Sequence, residues 1–182
     1  KSDVAHLLYF YHPDFIGTQE GLVNQLDFID NELEEYQYIG VGRDDGKEKG
    51  EFTAIFYDTT KYNLLVSNTF WLSEAPEKVS VGWDAALERI CTYAQFEHKE
   101  TGQKFWVFNT HFDHKGIEAR IESVDLIIER IKVLNSDNLP LVITGDFNLT
   151  PEAAPIKKMQ SHFLDVQKNL PENNPYFATS NN

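Results

Sequence analysis

The chain has 182 residues, of which 29 are acidic and 16 are basic, for a formal net charge of -13. This length predicts one domain with a single sizeable core. The acidic balance disfavours a broad electrostatic grip on nucleic acid, which needs clustered cations. The one cysteine, Cys91, excludes an internal disulfide and any multi-cysteine metal cluster, and its apolar neighbours predict a core position.

The first part of the chain alternates between helical and extended patterns. Apolar spacing predicts helices over 2–11 and 21–33, with a short buried strand at 14–18 between them. Pro13 ends the first helix. Residues 42–50 form a charged loop punctuated by glycines.

Extended patterns dominate the middle of the chain. Strands are predicted over four segments, 51–57, 62–72, 89–98 and 104–112. Helical spacing returns over 117–134 and 151–160, with a strand at 139–147 between them, and a polar loop is predicted from Pro171 onward. The sequence therefore predicts one mixed α/β domain with a central sheet and outer helices. Because segments 105–112 and 139–147 are apolar at successive positions, we expect both to be covered on two faces.

Polar side chains follow three of these strands. Asp146 and Asn148 end the last strand and point the same way if the strand alternation continues. Asn109 and His111 likewise share one face at the end of an earlier strand, and Glu20 follows the first strand. A carboxylate beside an amide can bind a hard cation and orient a water molecule.

Each of these signals also has a purely structural interpretation. Asp146 can close an Asx turn before the helix at Pro151. His111 can be hydrogen-bonded locally, and Glu20 can be a first-turn acid favoured by the helix dipole. Three polar strand ends together form a stronger pattern, because α/β sheets gather their sites at one edge.

Four short motifs occur in a fixed order, Gly17-Thr18-Gln19-Glu20, Glu51 before Phe52–Tyr57, Asn109-Thr110-His111 and Gly145-Asp146-Phe147-Asn148. This succession resembles the endonuclease/exonuclease/phosphatase superfamily over about residues 10–150. The resemblance implies a four-layer α/β sandwich of the deoxyribonuclease I-like type, with two packed mixed sheets and helices on both outer faces. It also implies hydrolysis of a phosphoester that depends on Mg²⁺ or Mn²⁺, by direct in-line attack of water.

The resemblance further implies roles for particular residues. Glu20 matches the metal-binding glutamate of the family, and Asp146 is expected to share that site. Asp146 and Asn148 match the pair that orients or deprotonates the attacking water. His111 matches the histidine that contacts the scissile phosphate, and Glu51 stands where the family can place the carboxylate partner of that histidine.

Three further residues are expected to contact the substrate, Arg43, Arg89 and Asn109. Some relatives use arginine against phosphate where Arg89 stands, and Arg43 can act likewise. Alternatively, Arg89 pairs with Asp84 or Glu88, and Arg43 is simply solvated.

The sequence does not decide the roles of two further residues, His114 and Trp83. His114 either contacts the substrate or faces water alone. Trp83 is either a packing residue or part of the wall of the cleft.

Two family elements have no match in these residues, a first strand that ends in Asn and a last strand that ends in Ser-Asp-His. The expectation is therefore a single domain over 1–182 that is incomplete at both ends, with bare strand edges and with poor catalytic activity or none on its own. The one implied partner is a phosphoester of unknown identity, and no obligate protein partner is evident. The alternative is an inactive binding module that retains the fold. No apolar run reaches the roughly 18 residues of a membrane span and no signal peptide is visible, so a soluble protein of unknown compartment is expected.

Overall fold

Two β-sheets packed face to face organise the larger part of the structure. The computed structural model describes residues 2–166 and 168. Its elements in chain order are α1 (Ser2–Tyr11), β1 (Phe15–Gly17), α2 (Val23–Glu32), β2 (Tyr36–Ile39), β3 (Ile55–Asp58), β4 (Tyr62–Trp71), β5 (Ile90–His98), β6 (Lys104–His111), α3 (Ile117–Leu134), β7 (Leu141–Asp146) and α4 (Ala154–Gln160). Residues up to Asn148 form one compact unit, and α4 belongs to a second unit that begins at Leu149.

The first sheet has the order β1-β3-β2 and is antiparallel throughout. Its central strand, β3, is buried on both faces. Phe56 packs on one side with Leu26 and Leu33, which come from α2 and its C-terminal end. The neighbouring Ile55 points the other way and packs with Phe96 and Val107 of the second sheet. Strand alternation therefore places a helix on the outside and the second sheet on the inside.

The second sheet has the order β4-β5-β6-β7, antiparallel except for the parallel pair β6 and β7. Helix α3 connects that parallel pair, as a crossover connection requires. On the side of β4, the guanidinium of Arg130 in α3 lies 5.6 Å from the ring centre of Phe70. Cys91 is fully buried in β5 as expected, and burial raises the pKa of its thiol.

The strand order corrects part of the expectation that segments 105–112 and 139–147 are buried on both faces. Strand β6 is buried along most of its length, as predicted for 105–112. Strand β7 is only partly buried, with Val142 52% exposed. The prediction of cover on both faces for 139–147 was therefore wrong, because β7 is an edge strand in the part of the chain that the structure describes. An apolar run alone does not distinguish an edge strand from a central one.

The structure also moves several predicted boundaries. Strand β2 has no counterpart among the predicted elements, because its four residues form a strand only by pairing with β3. The strand predicted over 51–57 is shorter, since Phe52 makes an isolated bridge with Gly21 and the regular strand begins at Ile55. The predicted loop from Pro171 lies outside the described residues. None of the helices in the described part has the length and apolar character to cross a bilayer.

Edge strands of both sheets carry residues of the predicted site. Within the described residues, β1 and β2 are the edges of the first sheet, and β4 and β7 are the edges of the second. Glu20 follows β1 and Asp146 ends β7. The two candidate metal ligands therefore come from edge strands, one in each sheet. That residues 1–182 form a single, incomplete domain with poor activity or none on its own stays a prediction.

Candidate active site

Three predicted site residues meet where β1, β6 and β7 end. The Nε2 atom of His111 lies 4.0 Å from Oε1 of Glu20 and 4.0 Å from Oδ2 of Asp146. The two carboxylate oxygens are therefore no more than twice that distance apart. The His111 side chain is 6% exposed, whereas those of Glu20 and Asp146 are 69% and 53% exposed. A buried imidazole thus lies under two carboxylates that solvent can reach.

A buried amide two residues before His111 connects all the strands that lead to this point. The Nδ2 group of Asn109 donates to the carbonyl oxygens of Thr18 and Ala54, each at 2.9 Å. Its Oδ1 atom accepts from Nε2 of Gln19 at 2.8 Å and from Oγ1 of Thr144 at 3.1 Å. Both donor hydrogens and both lone pairs of the amide are therefore used.

The partners of Asn109 stand next to the candidate site residues in the sequence. Gln19 directly precedes Glu20, and Thr144 lies two residues before Asp146. In the parallel ladder, Asn109 pairs with Thr144, and two residues on His111 pairs with Asp146. The network therefore sets the positions of all three site residues.

The expected contact of Asn109 with substrate needs correction. The residue is fully buried, and its amide is committed to protein groups on both atoms. Asn109 does share one face of β6 with His111 as predicted, but the end of the first sheet covers that face at Asn109. We therefore assign Asn109 to positioning rather than to substrate binding.

Two motif glycines allow the strands to approach this closely. A Cβ atom at Gly17 would lie 2.7 Å from Oγ1 of Thr144 and 2.9 Å from Oδ1 of Asn109. At Gly145, where φ is +154°, a Cβ atom would collide with the carbonyl oxygen of Thr110. Larger residues at either position would push β1 or β7 away from β6.

The turns that carry Glu20 and Asn148 have left-handed backbone conformations. Their φ angles are 60° and 48°. Asparagine tolerates this region, whereas glutamate adopts it at a cost of about 1 kcal/mol. Such strain concentrates at functional sites, where the surrounding structure enforces it. In Glu20 it accompanies a carboxylate turned toward His111.

The two carboxylate oxygens of Asp146 face different groups. Its Oδ1 atom accepts a hydrogen bond from the backbone N–H of Asn148 at 2.8 Å, which is the Asx turn that the sequence allowed. Its Oδ2 atom is the one that faces His111. The side-chain amide of Asn148 donates to the carbonyl oxygen of Phe112 at 2.9 Å and so joins this turn to the end of β6.

The predicted partner of His111 is engaged elsewhere. Oε2 of Glu51 lies 2.5 Å from Nη1 of Arg43, so Glu51 pairs with a guanidinium and not with the imidazole. A permanently charged guanidinium is the stronger partner for a carboxylate. This corrects the role expected for Glu51, although Glu51, Arg43 and His111 do line one cavity.

Arg89 has a partner that the sequence did not indicate. Its Nε donates to Oδ1 of Asp113 at 3.2 Å, and both side chains are almost fully buried. The other oxygen of Asp113 accepts from the backbone N–H groups of Lys115 and Gly116. Burial alone would raise the pKa of Asp113, but these hydrogen bonds and Arg89 hold it well below its usual range.

Neither acidic neighbour proposed for Arg89 takes this position. Asp84 instead accepts hydrogen bonds from the first backbone N–H groups of helix α3. The one sequence signal for Asp113 was its place between two histidines in Asn-Thr-His-Phe-Asp-His.

Arg43 and Arg89 border a cavity of about 10 Å³ together with Glu51 and His111. That volume holds about one water-sized oxygen. Two buried guanidinium nitrogens, Nε of Arg43 and Nη1 of Arg89, have no hydrogen-bond partner in the part of the chain that the structure describes. Asp44 lies 3.7 Å from Nε of Arg43, which is too far for a hydrogen bond. Unpaired buried donors are costly, so these two favour an oxygen acceptor at this point.

The electrostatics around His111 favour a neutral ring. Burial is the main factor that lowers its pKa below 6.5, and the positive charge of Arg89 lowers it further, against the opposing effect of Asp146 and Glu20. His111 is therefore neutral at pH 7. The two carboxylates facing Nε2 favour the tautomer that carries its hydrogen there.

Glu20 and Asp146 fit a hard divalent cation by their chemistry. Mg²⁺ and Mn²⁺ prefer carboxylate oxygens and retain several waters, so two exposed carboxylates suffice. Within the described residues, no group of three or more His, Cys, Asp or Glu side chains forms a complete ligand set. Water and substrate oxygens would supply the remaining positions.

Comparisons with known proteins find relatives in both sequence and structure. The family model "Endonuclease/Exonuclease/phosphatase family" matches residues 1–182. The structure of a mannosyl-6-phosphatase from Bacteroides thetaiotaomicron is 45% identical, with a TM-score of 0.86 over 88% of this chain and 60% of that one. A family protein from Bacteroides vulgatus is 46% identical, with a TM-score of 0.85 over 87% of this chain and 61% of that one.

A curated relative from a virus is more distant. An uncharacterised protein of Acanthamoeba polyphaga mimivirus is 29% identical over 154 residues, which is 80% of this chain and 56% of the relative. The chain thus spans little more than half of that relative and about three fifths of the two Bacteroides structures.

Removing the buried amide should destabilise the fold. We expect Asn109→Ala to lower the free energy of unfolding by about 2–4 kcal/mol, because it removes a donor from the carbonyl of Thr18 and the acceptor of the Gln19 side-chain amide. The control Asn63→Ala removes an exposed amide with one 3.4 Å contact and should cost less than about 0.5 kcal/mol. Urea denaturation measures both. Equal effects would show that the Asn109 network does not hold the strand ends.

The Asp113–Arg89 pair should make stability depend on pH. Because the folded pKa of Asp113 is depressed, its contribution is fully present above its unfolded pKa of about 3.9 and is lost as pH falls below it. Asp113→Asn should therefore cost about 2–3 kcal/mol at pH 7 and clearly less at pH 3. Urea denaturation at the two pH values tests this, with the exposed Asp137→Asn as the control. A cost independent of pH would contradict the assignment.

Proposed function

We propose that this chain, which belongs to the endonuclease/exonuclease/phosphatase family, hydrolyses a phosphoester with the help of a divalent cation held by Glu20 and Asp146. The observation that carries the proposal is the placement of both carboxylates 4.0 Å from Nε2 of one buried histidine. The two exposed carboxylates can bind a cation and orient a water molecule. The neutral imidazole between them can donate a hydrogen bond to a phosphate oxygen. Mg²⁺ or Mn²⁺, when bound, would neutralise phosphate oxygens and help the leaving alkoxide depart.

The chain's own residues have separate tasks in this proposal. The exposed carboxylate of Asp146 orients the attacking water and accepts its proton. Asn148 fixes the direction of that carboxylate, because its backbone N–H holds Oδ1 in the Asx turn. His111, neutral at pH 7, donates from Nε2 to a phosphate oxygen as negative charge develops.

The two arginines supply the remaining donors. Both side chains line the cavity beside His111, and Nη1 of Arg89 and Nε of Arg43 are buried without a hydrogen-bond partner among the described residues. A phosphate oxygen placed there would give both donors an acceptor. Arg43 stays positioned by Glu51 and Arg89 by Asp113, so neither needs to reorganise when substrate binds. Glu51 acts in this proposal through Arg43.

The similarity to a mannosyl-6-phosphatase suggests the first compounds to assay. That protein is 45% identical over 88% of this chain. We therefore place mannose 6-phosphate and other sugar phosphates first in a panel that also contains p-nitrophenyl phosphate, a dinucleotide and bis-p-nitrophenyl phosphate. Each compound is assayed with Mg²⁺, with Mn²⁺ and with EDTA.

We expect hydrolysis of at least one of these compounds with Mg²⁺ or Mn²⁺ and none above background with EDTA. Asp146→Asn should lower kcat by about 10²–10⁴, because it removes the base that accepts the proton of water. Asp137→Asn, the same change at an exposed turn position, should leave kcat unchanged. Phosphate release and urea denaturation are measured in parallel.

Two results would overturn the proposal. One is the absence of cation-dependent hydrolysis across the whole panel in a folded protein, which would favour the inactive binding module. The other is an Asp146→Asn variant that turns over within threefold of the wild type.

A further inference from the structure

His114 is held in one tautomer by a residue of the site. Its Nδ1 atom lies 3.0 Å from Nη2 of Arg89. A guanidinium has donors and no acceptor, so Nδ1 of His114 must accept this hydrogen bond with its lone pair. The hydrogen of the neutral ring is therefore on Nε2.

The position of that ring is fixed from two sides. Arg89 is 5% exposed and is itself bound by the buried carboxylate of Asp113. Asp113 also accepts from the backbone N–H groups of Lys115 and Gly116, which closes the turn that contains His114. The ring of His114 is nonetheless 44% exposed. A well-held imidazole is thus partly accessible to solvent.

Arg89 joins this ring to the cavity beside His111. Its three guanidinium nitrogens have three different surroundings. Nε binds Asp113, and Nη2 binds His114. Nη1 is buried and has no partner among residues 2–166 and 168, and the Arg89 side chain lines the cavity together with His111. A substrate oxygen that accepts a hydrogen bond from Nη1 would therefore bind the same guanidinium that orients His114. The proposed catalytic reaction has no use yet for the Nε2–H of this partly exposed ring.

We propose that His114 is a further substrate-contacting residue, which donates a hydrogen bond from Nε2 to an oxygen of the phosphoester bound beside Arg89. The inference rests on the proposed hydrolysis and adds a second histidine donor to it. The opposing hypothesis is that His114 only holds Arg89 in place. The two roles use different nitrogen atoms of one ring, so they can be separated by substitution.

Asparagine and glutamine separate the two nitrogens. The amide of Asn can occupy the place of Nδ1 and accept from Arg89, but it does not reach the place of Nε2. The amide of Gln reaches the place of Nε2 and can donate there. The variants are therefore His114→Asn, His114→Gln and His114→Ala, with His6→Asn at an exposed helical position as the matched control.

We expect His114→Asn and His114→Ala to lower kcat/KM about 10-fold or more, the typical effect of losing a donor to a charged group. His114→Gln should stay within about threefold of the wild type, and His6→Asn should be unchanged. The dissociation constant of inorganic phosphate in the presence of Mg²⁺ should follow the same order. Urea denaturation checks that each variant is folded.

The opposite order would overturn the inference. If His114→Asn behaves as the wild type and His114→Gln resembles His114→Ala, the ring serves Arg89 alone. If all three variants keep wild-type kcat/KM, His114 contacts nothing that matters for turnover. In both cases cation-dependent hydrolysis by the wild type persists, so this inference fails while the proposed function stands. Absence of hydrolysis by the wild type would instead remove both.

Discussion

The whole arrangement depends on the buried amide of Asn109. It binds the carbonyls of Thr18 and Ala54 and accepts from Gln19 and Thr144, so it ties the ends of strands from both sheets to one point. Since buried polar groups without partners cost about 1–3 kcal/mol each, the strands are held where all four bonds can form. The candidate catalytic residues stand one or two positions further along the same strands. Their geometry is therefore a consequence of a structural requirement.

The charges of the site fall into two groups. Arg43 and Arg89 are neutralised by Glu51 and Asp113. The Arg89–Asp113 pair is almost fully buried, whereas the side chain of Glu51 is 32% exposed. Glu20 and Asp146 remain exposed around a neutral His111. Within the described residues, the first group includes two buried guanidinium nitrogens without an acceptor, and the second consists of two exposed carboxylates that face one imidazole. A phosphoester accompanied by a divalent ion complements both groups, which is why the proposed reaction accounts for features that packing alone leaves unexplained.

Sequence reasoning predicted the meeting of Glu20, His111 and Asp146 because polar residues at strand ends gather at one edge of an α/β fold. It also expected Asn109, which alternation places on the same face as His111, to contact the substrate. Alternation does not reveal that the first sheet covers that face at Asn109, whereas His111 faces two exposed carboxylates. The prediction that Glu51 pairs with His111 was wrong for a similar reason. Position along the chain does not show whether Glu51 meets His111 or Arg43 in the folded structure. Asp113 was missed because its partner, Arg89, lies 24 positions away and meets it only in the folded chain. The boundaries of β2 and β7 likewise depend on pairing between strands.

The central claim is that Glu20 and Asp146 hold one cation together. Its most direct test is the affinity for Mn²⁺, measured by electron paramagnetic resonance, in the wild type, Glu20→Gln, Asp146→Asn and the double variant. A shared site predicts one strongly bound ion in the wild type, a loss of about 10-fold or more in each single variant, and non-additive effects in the double variant. Wild-type affinity in either single variant, or two ions lost independently, would contradict the account.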